Sequence, residues 1–334
     1  MARIFIVGSG VVGTATGRGL ARVGHAVTFV DVDPERVAAL RAEGRDAVRS
    51  LDLRDQPDAF VFLTLPTPHH GHAYDLTALR QGARAVGEAI AQADRQAGDA
   101  GAAHTAAVHT VVVRSTVPPG TTAGVVQPIL EECTGRAEGT GFALAANPEF
   151  LRAACADEDF RWPWMTVVGA SRKRTAERLA DLLRPFGGQL RVFDRPETAE
   201  LVKCAHNIYN ATKISFWNEM WLVATELGLD HDEVAGTVAA SAEASTNPLY
   251  GIRGGAPYGG ACLPKDTQGF LGFATELGVT MPLLSAVVEV NDRLAAHVAT
   301  ELDTLDTLDV GVGAFAGARK GVLDLRRGSD LPVE

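Results

Sequence analysis

Gly8, Gly10 and Gly13 stand between an apolar run at residues 3–7 and a stretch of helical spacing at 14–23, and a second apolar run at 27–30 ends on Asp31. A glycine spacing of that kind between those two patterns leaves little choice but strand, tight turn, helix and parallel strand. Gly8 permits the turn, Gly10 lets a ligand approach bare backbone, and Gly13 lets helix and strand close on each other. The helix then opens at Val11 and Val12 with its free N–H groups aimed at an anion. Asp31 stands where a carboxylate accepts both hydroxyls of a ribose and repels a 2′-phosphate. Gly8, Gly10, Val11, Val12, Gly13 and Asp31 are therefore expected to bind NAD in preference to NADP.

Further strand-like runs recur at residues 59–65, 110–114, 166–168 and 190–193, with Ala-rich helical segments such as 79–97 and 176–183 between them. The alternation predicts an α/β fold, a Rossmann-type doubly wound parallel sheet over residues 1–195 with ligands at the carboxyl ends of its strands. Near Pro196 the pattern changes. From 197 to 227 apolar residues recur at helical spacing and Gly228 closes the run as a C-cap, predicting one helix of about 45 Å at 1.5 Å per residue. Its apolar stripe is broader than one covering domain buries, which predicts a homodimer interface. Shorter helices at 232–240 and 270–276 around a loop carrying Cys262, and another at 282–299, complete a smaller helical domain over 196–300; residues 301–334 show no periodicity and read as a short tail.

A chain of 334 residues suggests two domains, and 46% hydrophobic with 22% charged residues is the composition of a soluble globular protein. A formal charge of −10 without any Lys/Arg block argues against nucleic acid or an anionic membrane as partner, so a small molecule is expected. The apolar run at 4–7 is too short for a signal peptide and nothing approaches transmembrane length, which makes the cytoplasm the default location. Cys133, Cys155, Cys204 and Cys262 show neither metal spacing nor a dense disulfide pattern, so reduced thiols and no metal are expected. Cys133, Cys155 and Cys204 read as core or helix residues. Cys262, between Gly259-Gly260-Ala261 and Leu263-Pro264-Lys265-Asp266, reads as a nucleophile. A hydride acceptor combined with such a thiol carries an alcohol past the aldehyde to the acid.

Other residues stay open on this reading. Lys203 and Asn207 share a helix face where a lysine is ordinarily solvated; Glu149 is a turn residue or an acid; Thr116 is a strand-end cap or a site residue. His69-His70-Gly71-His72 reads as a polar surface loop and not a metal site; Trp162 and Trp164 around Pro163 suggest an aromatic platform, but a buried hinge is the commoner use of such a pair and is the expectation.

Gly8–Gly13, Leu65-Pro66-Thr67-Pro68, Ser115-Thr116-Val117-Pro118-Pro119-Gly120-Thr121-Thr122, Asn147-Pro148-Glu149-Phe150-Leu151-Arg152, Glu200-Leu201-Val202-Lys203 with Asn207, and Gly259 to Asp266 follow in order. Together, across residues 1–295, they resemble the UDP-glucose/GDP-mannose dehydrogenase family of four-electron sugar-nucleotide dehydrogenases. The resemblance implies that Asp266 and Thr116 hold a water, that Lys203 and Asn207 face the reacting oxygen, that Cys262 captures the aldehyde and that Glu149 activates the hydrolytic water. It places Pro66, Thr67, Thr116 and Lys265 on the cofactor side, Lys265 also within reach of the thiol or substrate. Phe150, Leu151, Arg152, Lys203 and Gly259 fall on the substrate side, and Tyr250 and Arg253 resemble phosphate-binding positions of the GDP-mannose branch.

Two departures stand out. Family members usually continue into a second α/β domain, whereas only about thirty residues follow the last matched helix here, fewer than a domain needs. Ala153-Ala154 stand where Glu-Gly usually follows the Asn147–Arg152 motif. The resulting expectation is NAD-dependent four-electron oxidation of a sugar or nucleoside CH₂OH, including substrates smaller than a diphosphate sugar. A two-electron hydroxyacid or alcohol dehydrogenase and a non-catalytic NAD-binding partner subunit are the alternatives.

Overall fold

Unbroken apolar runs become central strands because both faces of such a strand are covered. β1 (Arg3–Val7), β4 (Ala59–Leu63), β7 (His109–Val113) and β8 (Phe142–Ala146) are buried almost throughout. The computed structural model describes residues 1–56, 58–70, 73–99, 107–241, 257–259 and 263–307. The chain divides into two compact units, Met1–Ile208 and a second from Tyr209 onward.

The first unit holds an eight-stranded sheet. With β2 (Ala26–Val30), β3 (Asp46–Val48), β9 (Met165–Gly169) and β10 (Gln189–Phe193), its order is β10-β9-β8-β7-β4-β1-β2-β3. The chain leaves β1 toward β2 on one side, while β4 pairs with β1 on the other, so the strand order reverses between β1 and β4 and their carboxyl ends open a crevice. Around the sheet lie α1 (Val11–Arg22), α2 (Pro34–Ala42), α3 (Thr77–Asp99), α4 (Gln127–Thr134), α5 (Ala156–Arg161) and α6 (Lys173–Leu183). Leu20, Phe29, Phe62 and Leu179 fill one side, and Leu63, Leu79, Ile90, Leu130 and Phe142 the other.

The sheet departs from the expected all-parallel one. β9 meets β8 antiparallel at Ala146↔Gly169, and β10 is parallel to β9. From β8 the chain returns through α5 to the edge it left, so the residues before β9 join the strand ends that carry ligands. β8 itself escapes the sequence reading because three of its five residues are Ala, poor strand formers. His69-His70, expected in a surface loop, forms β5 (His69–His70) against β6 (Ala73–Tyr74) in a small antiparallel pair.

α7 (Pro196–Glu226) is the expected long helix, and Gly228 follows it at φ +68° as a left-handed terminator. Glu200 on its second turn is buried. Its carboxylate accepts from Gly120 N at 2.6 Å and from Thr122 N at 2.8 Å and Oγ1 at 2.5 Å. One side chain thereby caps the π turn at Thr122–Val126 that runs into α4, and fastens α7 to the loop containing Thr116.

In the second unit, α8 (His231–Ala239), α9 (Leu263–Glu276) and α10 (Pro282–Thr307) follow. Val223, Ala274, Val279 and Met281 form its buried core, and Glu219 accepts from Leu283 N at 2.5 Å and Leu284 N at 3.2 Å at the start of α10. α9 begins seven residues earlier than the expected 270–276, so Pro264, Lys265 and Asp266 lie in its first turn and not in a loop. Proline is at home there because its missing N–H is one the helix leaves unpaired.

Glu200→Ala leaves three donors, two of them buried, without an acceptor and is expected to lower unfolding free energy by about 2–4 kcal/mol. A urea midpoint unchanged from the wild type would show that α7 is not fastened through this carboxylate.

Candidate active site

Gly8 follows β1 at φ +95°, a conformation that side chains resist, and its N–H donates to Val30 O at 2.8 Å. At Gly13 a Cβ would stand 2.0 Å from Gly8 O and 2.6 Å from Thr64 Oγ1, so the close helix–strand approach admits nothing larger. α1 starts at Gly10 with no side-chain cap, leaving its first N–H groups to a ligand. Asp31 is buried at the end of β2. Oδ2 accepts from Ser9 N at 2.6 Å and Oδ1 from Asp33 N at 3.0 Å, while Arg36 approaches to 3.8 Å.

Gly8, Gly10, Asp31 and Arg36 border an open cleft that also takes in Val11, Val12, Pro66, Thr67, Thr116 and Glu149. The arrangement fits NAD: bare backbone and a helix N-terminus for the pyrophosphate, and an oriented carboxylate for the ribose. The Ser9 hydroxyl in the same loop is buried without a protein partner, as a donor kept for a ligand oxygen would be.

The strand ends next to this cleft are tied together through hydroxyls. Leu65 N donates to Ser115 Oγ at 2.9 Å, Ser115 Oγ donates to Leu65 O at 2.6 Å, and Thr67 Oγ1 donates to Thr116 O at 2.6 Å. Pro66, Thr67 and Thr116 thus share one wall.

Beyond them the 147–152 loop leaves β8, and Lys203 on α7 faces it. Lys203 is only 5% exposed, against the ordinary expectation of a solvated lysine. Its Nζ lies 3.4 Å from Glu149 Oε1 and 5.2 Å from the centre of the Phe150 ring. Glu149 Oε2 accepts from Leu151 N at 2.5 Å, so the carboxylate is held by its own loop as well. A buried ammonium requires such a counter-charge.

Arg114, absent from the sequence-based candidates, lies beneath Glu149. It is buried, with Nε donating to Thr16 Oγ1 on α1 at 2.8 Å, Nη1 donating to Asn147 Oδ1, and its head over the Phe160 ring at 5.2 Å. Burial pushes the guanidinium down to about 10, with Glu149 opposing the shift. Arg114 therefore couples the cofactor helix to the Glu149 loop. Its signal in the sequence is a charge closing an apolar strand.

Arg152 has its guanidinium tied to Asp159, Nη2 to Oδ1 at 2.7 Å and Nε to Oδ2 at 3.0 Å, which holds that carboxyl at about 2. Asn207 is exposed, with its Oδ1 3.3 Å from His206 Nδ1. Burial pushes the Cys133 and Cys204 thiols up, which suits unreactive residues. Cys262, Tyr250 and Arg253 lie outside the described residues; Gly259 is described and exposed, and of Lys265 and Asp266 the backbone alone is described. Among the described residues no three His, Cys, Asp or Glu side chains are grouped to hold a metal ion, and no helix is long and apolar enough to cross a membrane. Trp162 and Trp164, expected as a buried hinge, are 68% and 55% exposed. That expectation fails because the indoles point outward from a loop whose backbone is anchored by Gln189 N donating to Trp164 O at 3.0 Å.

Fold and cleft define an NAD-dependent dehydrogenase acting on a CH–OH donor. The chain belongs to the UDP-glucose/GDP-mannose dehydrogenase family: residues 2–52 and 50–187 match the family's NAD binding domain and residues 197–293 its central domain. It is 31% identical to the GDP-mannose 6-dehydrogenase of Pseudomonas aeruginosa over 97% of this chain and 76% of that one. To a UDP-glucose 6-dehydrogenase of Haloferax volcanii it is 33% identical over 86% of this chain and 69% of the other. The crystal structure of a ternary complex of GDP-mannose dehydrogenase from Pseudomonas aeruginosa superposes with a TM-score of 0.78 at 28% identity, covering 98% of this chain and 78% of that one.

Asp31→Ala removes the acceptor for the ribose hydroxyls and is expected to lower kcat/KM for NAD by about 10- to 100-fold while sparing the weak activity with NADP. An unchanged NAD-to-NADP ratio would remove Asp31 from the cofactor site.

Proposed function

We propose that this enzyme oxidises the primary alcohol of a sugar, carried on a nucleoside diphosphate or in a smaller substrate, to a carboxylate in two hydride transfers with Cys262 holding the substrate between them. The buried Lys203–Glu149 pair, 3.4 Å apart where the cofactor cleft meets the 147–152 loop, carries the proposal. It sets an ammonium and a carboxylate side by side, away from water, where one steadies an oxyanion and the other moves a proton. The relatives' names, GDP-mannose and UDP-glucose 6-dehydrogenase, support the same substrate class.

NAD, when bound, accepts the hydride in each oxidation. The protein's share begins with Asp266 and Thr116, which hold a water that takes the hydroxyl proton, while Lys203 and Asn207 steady the developing alkoxide. The Cys262 sulfur adds to the aldehyde carbon, and the thiohemiacetal so formed loses its hydride and proton to become a thioester. Glu149 takes a proton from the attacking water, the carbon–sulfur bond breaks, and the carboxylic acid leaves with the thiol restored. Each turnover consumes one alcohol, one water and two NAD.

Leu201, Ile208, Tyr209, Phe216 and Trp221 along α7 are exposed, and a homodimer formed through this helix would cover them. A cytoplasmic location belongs to the same reading, supported by the reduced thiols expected from the cysteine spacing and by the need for NAD.

With nucleotide-sugar and sugar-phosphate alcohols as substrates, two NADH are expected for each acid formed. Cys262→Ala is expected to abolish acid, and Lys203→Ala to reduce kcat by about 10²- to 10³-fold. Formation of one NADH with a ketone product, insensitive to Cys262→Ala, would replace this reading with a two-electron alcohol dehydrogenase.

A further inference from the structure

Trp164 belongs neither to the cofactor cleft nor to the proposed catalytic groups. It precedes β9, the antiparallel strand, so it stands at the same edge of the sheet as the 147–152 loop. Its ring centre is 5.5 Å from that of Phe150, edge to face at 66°, and 5.4 Å from the His206 imidazole, inclined by 32°. Phe150 and His206 meet at 5.1 Å and 89°, which closes a three-ring cluster. Phe150 in turn lies under Lys203, 5.2 Å from its Nζ, and His206 leads to Asn207 through the 3.3 Å contact. The cluster therefore adjoins both groups proposed to hold the reacting oxygen.

We propose that Trp164, backed by His206 and Phe150, is a stacking surface for the pyranose ring of the substrate, an inference that rests on the sugar-oxidising reading above. A pyranose presents a C–H face, which an indole's electron-rich face accepts, and a hydroxyl rim, which requires polar partners. Its ring is one bond away from the reacting CH₂OH. A nucleobase is separated from that carbon by a ribose and phosphates, and so is the poorer match for rings that touch Phe150 beneath Lys203. The indole is more than half exposed although its backbone is pinned, and His206 and Phe150 buttress it, so the surface is preorganised and its immobilisation adds little cost on binding.

The test is tryptophan fluorescence of the full-length protein, titrated with a nucleotide sugar and, separately, with the matching free nucleoside diphosphate, in wild type, Trp164→Phe and Trp162→Phe. Quenching by the nucleotide sugar that disappears in Trp164→Phe, persists in Trp162→Phe and is not produced by the free diphosphate is the expected result. In turnover, Trp164→Ala is expected to raise KM for the sugar substrate about ten-fold with kcat within about two-fold, and Trp164→Phe to recover most of the loss. Equal quenching by the free diphosphate would assign the indole to the base and overturn the proposal. An unchanged KM, with Trp164→Ala altering the oligomer mass instead, would assign this face to a second copy of the chain and overturn it too. Absence of turnover with every sugar alcohol sinks the parent reading; the fluorescence titration still decides the stacking surface, because it reads binding alone.

Discussion

A buried ammonium cannot stand alone, and the first unit is organised around meeting that requirement for Lys203. Glu149 supplies the counter-charge, the 147–152 loop holds Glu149, and Arg114 fastens the root of that loop to α1. On the opposite side, the Glu200 carboxylate fixes α7 to the Gly120–Thr122 turn, one helical turn before Lys203. Loss of any one of these ties leaves a desolvated charge unpaired, which is far more costly than an absent surface contact.

The cleft and the Lys203–Glu149 pair are joined through the same network. Arg114 touches Thr16 on α1, the helix that opens from the glycine loop, and Asn147 at the start of the loop that holds Glu149. Thr67 and Thr116 close the wall between them. These bonds tie the strand ends at the cleft to the loop that holds Glu149.

Much of this is legible in the chain. The glycine loop, Asp31 and the alternating strands and helices follow from local rules of period and backbone freedom, and the long helix from Pro196 follows from spacing alone. β8 is hidden by its alanines, and the reversal of β9 depends on how a short connection turns back at the sheet edge, which no period encodes. The early start of α9 follows from proline's tolerance in a first helical turn, a signal outweighed in the sequence by the Gly-Gly preceding it. Arg114 and Glu200 look like ordinary charges until their partners, far away along the chain, are in place. For Trp164 the sequence offers both a platform and a buried hinge, and the commoner reading is the one that fails; its exposure arises from the geometry of a loop edge.

The amino-acid order by itself determined the NAD-binding half of the fold and the family, because turns, helix starts and strand periods are local and each residue carries its own conformational preference. Tertiary structure alone decided that Lys203 is buried, that Glu149 is its partner, that Arg152 is committed to Asp159, and that an aromatic surface flanks the pair. Those facts depend on which side chains lose water together, and desolvation is a property of neighbours in space and not of neighbours in sequence.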